Sequence, residues 1–405
     1  MAKNESMTTS LLGVPARRSI ALIVQTATEW SREVLRGVAD YAAEQGGWDC
    51  FIEPHGFWDV LQLPPDWRGH GVIGRLTNAS LVRSISRRKI PCVNVSWMRE
   101  HSTRFPCVVS DQRACGRMAA SHFLDRGYRN VAYIGPAPHM RYSNVMEETI
   151  RETLEQDEAN LHVFEYRPRD EKLREHGIRS NELGLRRWLM DLPKPVGVIT
   201  WSAIVGRAVM TQCANATIEV PDDVAILCIE DDSLMSALAP VELSSLDQAG
   251  RTVGYRAAEL LDQMIQGQPA PEKPIAIPPR GVFARRSSDA SGFQDEIVAE
   301  AIKYIRDNAD QPIQIHDVER ALNVSRRVLE NRFERSVGRS PAVILRRVRL
   351  ERAAVLLRDT DLAIPEIALR CGFNHTESFI RSFKRTMGDV PSQFRRKNRR
   401  NDNEP

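Results

Sequence analysis

The chain has 405 residues, 42% of them hydrophobic, with 56 Lys+Arg against 53 Asp+Glu and a net charge of +3. That composition is globular, the length exceeds one ordinary core, and no apolar run approaches the roughly 20 residues of a membrane span. The seven cysteines, Cys50, Cys92, Cys107, Cys115, Cys213, Cys228 and Cys371, are odd in number and lack any Cys-x-x-Cys pair. They indicate neither a disulfide framework nor a zinc site, and read as buried, reduced thiols.

Residues 1–17 read as a flexible N-terminus. Arg17-Arg18 is followed by a continuously apolar run only from Ile20 to Val24, too short for a signal-peptide core, so the protein is expected to stay in the cytoplasm. From residue 18 to about 280, short β-branched runs alternate with helical stretches. Ser19 to Val24, Gly71 to Ile73, Pro91 to Val95, Val131 to Ile134, Val196 to Thr200 and Val224 to Ile229 are candidate strands. Arg32 to Glu44, Arg113 to Arg126 and Thr252 to Gln266 carry helical periodicity between or beyond them. This alternation predicts parallel sheets covered by helices on both faces, which bind ligands at the carboxyl ends of their strands. Two such lobes fit residues 18–285. Pro269 to Pro279, with five prolines, reads as an exit strand leading toward a linker at 286–294.

Residues 295–396 read as all-helical and contain a segment used twice. Leu329 and Phe379, Phe333 and Phe383, Gly338 and Gly388, and Pro341 and Pro391 are each fifty residues apart. In the first copy, Asp317 to Leu322 forms a short helix, Asn323 a turn, and Ser325 the N-cap of a second helix. Asn323 stands where a glycine is usual and tolerates left-handed geometry. In the second copy, Ile364 to Cys371 ends at Gly372, and a helix follows from about His375 to Met387. Leu329 and Phe333, like Phe379 and Phe383, are four apart and face inward. The pattern is helix-turn-helix, twice.

Charge follows the same division. Residues 293–405 hold 22 Lys+Arg against 17 Asp+Glu, a net of +5, whereas residues 1–292 hold 34 against 36, a net of −2. Arg346-Arg347-Val348-Arg349 and Arg395-Arg396-Lys397 suit phosphate contact, and residues 397–405 form a basic then acidic tail.

In Ser325-x-x-x-Leu329-x-x-x-Phe333 with Gly338 and Pro341, and in Ile367-Ala368-x-x-x-Gly372-Phe373, Phe379-x-x-Ser382-Phe383-Lys384, Gly388 and Pro391, the C-terminal part resembles the AraC/XylS family of transcription regulators. The front part resembles the effector domain of LacI-type repressors. The matching stretches are Ser110-Asp111-Gln112, His122-Phe123-x-x-Arg126-Gly127-Tyr128-Arg129-x-Val131-Ala132-Tyr133-Ile134-Gly135 and Val220-Pro221-Asp222-Asp223-Val224-Ala225-Ile226. The implied architecture is an α/β two-lobed, periplasmic-binding-protein-like (type I) domain followed by an all-α domain with two helix-turn-helix units.

The resemblance implies a sequence-specific DNA-binding transcription regulator, read as an activator, controlled by a small ligand held between the lobes. The ligand is expected to be a sugar such as xylose or another carbohydrate. Loops at the strand ends then implicate Trp30, Arg32, Arg141, Glu230 and Asp231 in ligand binding. The resemblance departs at Thr200-Trp201-Ser202-Ala203, where the family commonly has an acidic residue. Outward positions on the two second helices, Arg326, Arg327, Glu330 and Asn331, then His375, Thr376, Glu377 and Arg381, are expected to read base edges. Lys384 and Arg385 are expected to meet phosphate. Two such helices would enter major grooves about 34 Å apart. Homodimerisation, contact with RNA polymerase and association with the nucleoid are implied as well; no cofactor, metal or membrane is expected. A second reading is a DNA-binding regulator whose N-terminal domain only dimerises and binds no ligand. An enzyme is disfavoured, because the chain carries no Gly-x-x-x-x-Gly-Lys-Ser/Thr loop, Gly-x-Ser-x-Gly elbow or His-Glu-x-x-His helix, and His122, His139 and His316 are isolated.

Overall fold

The structure, a computed structural model, describes residues 17–56, 59–97, 105–136, 142–164, 182–290, 292–293, 295–387 and 389–398. Elements are numbered in chain order. The chain divides into two compact units, one of Met1–Cys115, Pro136–Met146 and Asp247–Arg280, the other of Gly116–Gly135, Glu147–Leu246 and Gly281–Pro405.

The first unit begins with β1 (Arg18–Ile23), α1 (Glu29–Gln45), β2 (Trp48–Ile52), β3 (Gly71–Gly74), α2 (Ala79–Arg88), β4 (Cys92–Asn94) and β5 (Val108–Ser110). Its sheet has the order β2-β1-β3-β4 with every pairing parallel, and a bridge from Asn94 to Cys107 leads on to β5. Alternation along β1 sends Ile20, Leu22 and Val24 into one core with α1, and Ala21 and Ile23 into another with Leu81, Val82 and Ile85 of α2. Burial of both faces is what a parallel sheet requires.

Helix α3 (Gln112–Leu124) leads into the second unit, which continues with β6 (Asn130–Ile134), α4 (Val145–Gln156), β7 (Asn160–Val163), α5 (Glu182–Asp191), β8 (Val196–Thr200), α6 (Ala203–Asn215), β9 (Val224–Cys228), α7 (Ser233–Ala237) and β10 (Ser244–Asp247). The chain then returns through α8 (Gly250–Ile265) and β11 (Ile275–Ile277), which pairs in parallel with β5. Helices α1 and α8 touch backbone to backbone: a Cβ on Gly37 would lie 1.9 Å from the Arg251 carbonyl oxygen, and one on Gly254 1.9 Å from that of Val34. After β12 (Gly281–Phe283), the sheet of the second unit has the order β12-β10-β9-β8-β6-β7. Residues 286–288, expected to open a linker, instead form a 3-10 turn with Ser287 and Ser288 fully buried.

Seven helices follow among the described residues: α9 (Glu296–Asp307), α10 (Ile315–Ala321), α11 (Arg326–Val337), α12 (Pro341–Asp359), α13 (Ile364–Arg370), α14 (Thr376–Met387) and α15 (Pro391–Asn398). They build two cores. Leu329 and Phe333 of α11 pack with Val298, Ile302 and Val318, while Phe379 and Phe383 of α14 pack with Ile367, Ala368 and Phe394. Helix α12 serves both, giving Ile344, Leu345 and Val348 to the first and Leu350, Ala353 and Leu357 to the second. Ser325 caps α11 through the Val328 amide, Gly338 ends it at φ 67°, and Pro341 opens α12. Asn323 lies at φ 51° and Gly372 at φ 69°, so the two turns share left-handed geometry. Only Gly372 is crowded: a Cβ there would lie 2.5 Å from the carbonyl oxygens of Ala309 and Gln311. Gly388 lies outside the described residues.

Two expectations need correction. Cys50 is exposed, because it sits on β2 at the edge of its sheet, whereas the other six cysteines are buried. Of the arginines at 346–349, only Arg346 is exposed. Arg349 is buried and donates to the carbonyls of Ala309 (3.1 Å), Gln311 (2.7 Å) and Ile313 (3.0 Å), and Arg347 pairs with Asp125 (3.2 Å). These charges join α12 to the connection between α9 and α10 and to the residue after α3; a guanidinium fork matches clustered carbonyls as well as it matches phosphate. No helix among the described residues is long and apolar enough to cross a membrane.

Candidate nucleic-acid interface and ligand loops

Each of α11 and α14 follows a short helix and a left-handed turn, with its apolar side fixed in a core. On α11 that leaves Arg326, Arg327, Glu330 and Asn331 exposed together. Arg326 donates to Glu330 at 2.9 Å, one turn on, a pair so exposed that solvent screens most of its energy. The neighbouring carboxylate raises the Arg326 pKa further. On α14, Glu377, Arg381, Lys384 and Arg385 are exposed and Thr376 is half-buried. His375 stands just before the helix, exposed, its carbonyl accepting the Phe379 amide at 3.2 Å. The residues expected at the interface thus fall into one group per helix. A fork-shaped donor (Arg), an amide (Asn331) and acceptors (Glu330, Glu377) supply the chemistry of base-edge recognition.

In the first unit, the sheet order reverses between β1 and β3, the crevice where parallel α/β sheets take ligands. The Thr28 hydroxyl caps α1 by accepting the Ser31 amide at 3.3 Å, which fixes Trp30 and Arg32 in the first turn. Trp30 is half-buried, its Nε1 3.4 Å from the Ser110 hydroxyl. Arg32 donates to the Thr26 carbonyl (2.9 Å) and to Glu29 (2.7 Å), so its guanidinium braces the turn between β1 and α1. Arg141 lies outside the described residues. The structure adds Arg75, the first residue after β3. Its guanidinium lies 5.5 Å from the Trp30 ring and donates to Gln25 (3.0 Å) and to the Tyr142 hydroxyl, while its buried Nε has no hydrogen-bond partner among the described residues. The strand-end rule that singles out Trp30 applies equally to Arg75.

In the second unit, Glu230 and Asp231 occupy the loop between β9 and α7, both half-buried. Asp231 accepts from the Ser245 hydroxyl, from Arg285 (3.2 Å) and from Arg358 (3.0 Å), the last belonging to α12. Ser202 is fully buried and caps α6 through the Val205 amide at 3.4 Å.

Three domain families match the chain in succession: XylR N-terminal domain over residues 19–111, Periplasmic binding protein-like domain over 120–288, and Helix-turn-helix domain over 318–397. The chain is 29% identical over 385 residues to the xylose operon regulatory protein of Escherichia coli (strain K12), covering 94% of this chain and 97% of that one. The corresponding protein of Haemophilus influenzae (strain ATCC 51907 / DSM 11121 / KW20 / Rd) is 28% identical over 385 residues, covering 93% and 97%. The solved structure of the xylose-binding transcription activator xylR superposes with a TM-score of 0.61 at 28% identity, covering 95% of this chain and 99% of that one. The chain is therefore a DNA-binding transcription regulator with a XylR-like, periplasmic-binding-protein-like front region and an AraC-type helix-turn-helix region.

Proposed function

We propose that this regulator is a sugar-responsive activator, acting in the cytoplasm on the nucleoid as a homodimer that contacts RNA polymerase, with D-xylose or a related sugar as its effector. It has no catalytic role of its own. What carries this reading is the likeness to xylose operon regulators across effector and DNA-binding regions together. In the first unit, Trp30 with its stacked Arg75 offers an aromatic face and a cation to a sugar ring, and in the second, Glu230 and Asp231 are acceptors suited to sugar hydroxyls. Arg32 orders that loop, and Arg141 is the remaining candidate contact.

Titration calorimetry of the full chain against D-xylose, L-arabinose, D-ribose and D-glucose tests the sensing half. Saturable binding of one sugar is expected, and Trp30→Ala should weaken it about tenfold or more, since a lost stacking and hydrogen-bonding partner is worth about 1–3 kcal/mol. If no sugar binds while the chain still binds DNA, the N-terminal domain only dimerises.

On DNA, Arg326, Arg327, Glu330 and Asn331 read one half of the site, and His375, Thr376, Glu377 and Arg381 the other, with Lys384 and Arg385 on phosphate. With duplexes selected from a random pool, Arg327→Ala and Arg381→Ala should each cost about 1–3 kcal/mol and relax base preference in its own half. Equal losses on unrelated duplexes would make these arginines phosphate contacts.

A further inference from the structure

Asp231 has two claims on it. As a residue of the β9 loop it is a candidate acceptor for sugar hydroxyls, yet its carboxylate is held by two arginines from different parts of the second unit. Arg285 belongs to the segment after β12 and anchors the carboxylate from within the effector lobe, since its Nη1 also donates to the Leu243 carbonyl and the Ser245 hydroxyl, both at 2.7 Å. Arg358 comes from the last turn of α12, in the DNA-binding region, and reaches Asp231 Oδ2 at 3.0 Å.

The surroundings of Arg358 make that bond consequential. Arg358 is only 4% exposed, and its guanidinium carbon lies 3.6 Å from the centroid of the Phe283 ring. Phe283 ends β12, yet it is buried in the core built around Phe379 and Phe383. Effector strand, recognition-helix core and ligand loop therefore meet at one guanidinium. A charge so buried relies on carboxylate partners, of which Asp231 is one, because weakening their hold inside the protein costs more than a surface ion pair ever returns.

We infer that Arg358 is a coupling residue that competes with the sugar for Asp231, an inference that rests on the sugar-sensing reading above. A sugar hydroxyl that draws Asp231 toward itself weakens the hold on Arg358 and loosens the last turn of α12 from the effector lobe. Reciprocity then requires that a docked α12 lower the affinity for sugar.

The test uses the full chain with D-xylose as probe and Arg358→Met, which keeps length and contact with Phe283 but removes the charge. In the wild type, saturating D-xylose should speed amide exchange in the last turn of α12. In Arg358→Met that exchange should already be fast without sugar and gain nothing further. D-xylose should bind Arg358→Met about tenfold more tightly, within the usual range of coupling between sites. Equal or weaker binding than wild type, or an undiminished sugar-induced change in exchange, overturns the coupling while leaving sugar sensing intact. Failure of D-xylose to bind the wild type overturns sensing of that sugar, and the coupling with it. Should Arg358→Met not fold, Arg358→Lys, which keeps the charge but shortens the reach and loses the fork, should tighten D-xylose binding in the same direction by a smaller factor.

Discussion

Truncating Phe383 to alanine should destabilise the DNA-binding region by about 3–5 kcal/mol and abolish base preference in one half of the site only. Phe383 is fully buried and makes edge-to-face contacts with Phe379, at 5.5 Å, and Phe394, at 5.2 Å. Such aromatic pairs add about 0.5–1.5 kcal/mol beyond area burial, so the loss should lie toward the upper end. Phe333→Ala, in the other core, removes an equally buried ring whose neighbours are mainly aliphatic, and should cost less within the same range. Because the two cores are separate clusters, each variant should spare the opposite recognition helix. Chemical denaturation gives the stability loss, and binding to duplexes altered in one half or the other gives the functional loss. Helix α12 contributes to both cores, so any shortfall from additivity in the double variant measures how far the two units communicate. Identical loss at both halves from either substitution would show that the duplicated segment acts as a single rigid reader.

What the sequence reveals and what it hides divide along a physical line. The strands at Ser19, Gly71, Val131, Val196 and Val224 are legible because a strand buried on both faces must be a continuous apolar run. Strand β10, Ser244-Ser245-Leu246-Asp247, carries no such run; Ser244 is tied to the turn at 286–288, its amide donating to the Ser287 hydroxyl and its own hydroxyl accepting from Ser288, a pairing made 43 and 44 residues away. The left-handed turn at Asn323 is legible from the residue type alone. The roles of Arg347 and Arg349 are not, since a run of arginines has the same appearance whether it faces phosphate or a cluster of carbonyls. Sequence order places Asp231 at a strand end, but its bond to Arg358 joins residues 127 apart, and no local periodicity encodes such a contact. Arg75 is the instructive intermediate: the rule that finds Trp30 finds it too, while its stacking on that ring is visible only in three dimensions.

A second set of buried charges ties α12 to the effector lobe and should give stability a two-step dependence on acid. Arg126, 3% exposed, donates to Glu351 at 2.9 Å, and Arg347 lies 3.5 Å from the other oxygen of the same carboxylate. Burial pushes the Glu351 pKa up, but the charges of Arg126, Arg347 and Arg306 and the hydrogen bond from Arg126 outweigh it, so the net shift is below the ordinary 4.5. A depressed carboxylate stabilises the fold fully above 4.5, and that contribution is lost as pH falls through the lower folded value. His122 adds an earlier step. The Ser244 hydroxyl donates to the Arg285 carbonyl (2.9 Å) and the Ser288 hydroxyl to Ser244 (2.7 Å), so at 2.8 Å the His122 Nε2–H must be the donor to Ser288. Burial, reinforced by Arg126, Arg347 and Arg306, lowers the His122 pKa well below its ordinary 6.5, so the folded protein holds it neutral. The unfolded chain takes up that proton below about 6.5, which favours unfolding as pH falls. Wild-type stability in denaturant titrations should therefore begin to decline below pH 6.5 and fall more steeply below 4.5. His122→Gln should flatten the first decline and leave the second. Glu351→Gln should cost about 3 kcal/mol at neutral pH by leaving Arg126 without a carboxylate and Arg347 with Asp125 alone, the low end for a broken buried pair because Glu351 keeps 19% exposure. It should also remove the step below 4.5. A Glu351→Gln variant as stable as wild type at pH 7 would mean that Asp125, 3.2 Å from Arg347, and Asp289, 3.1 Å from Arg306, suffice to balance the cluster.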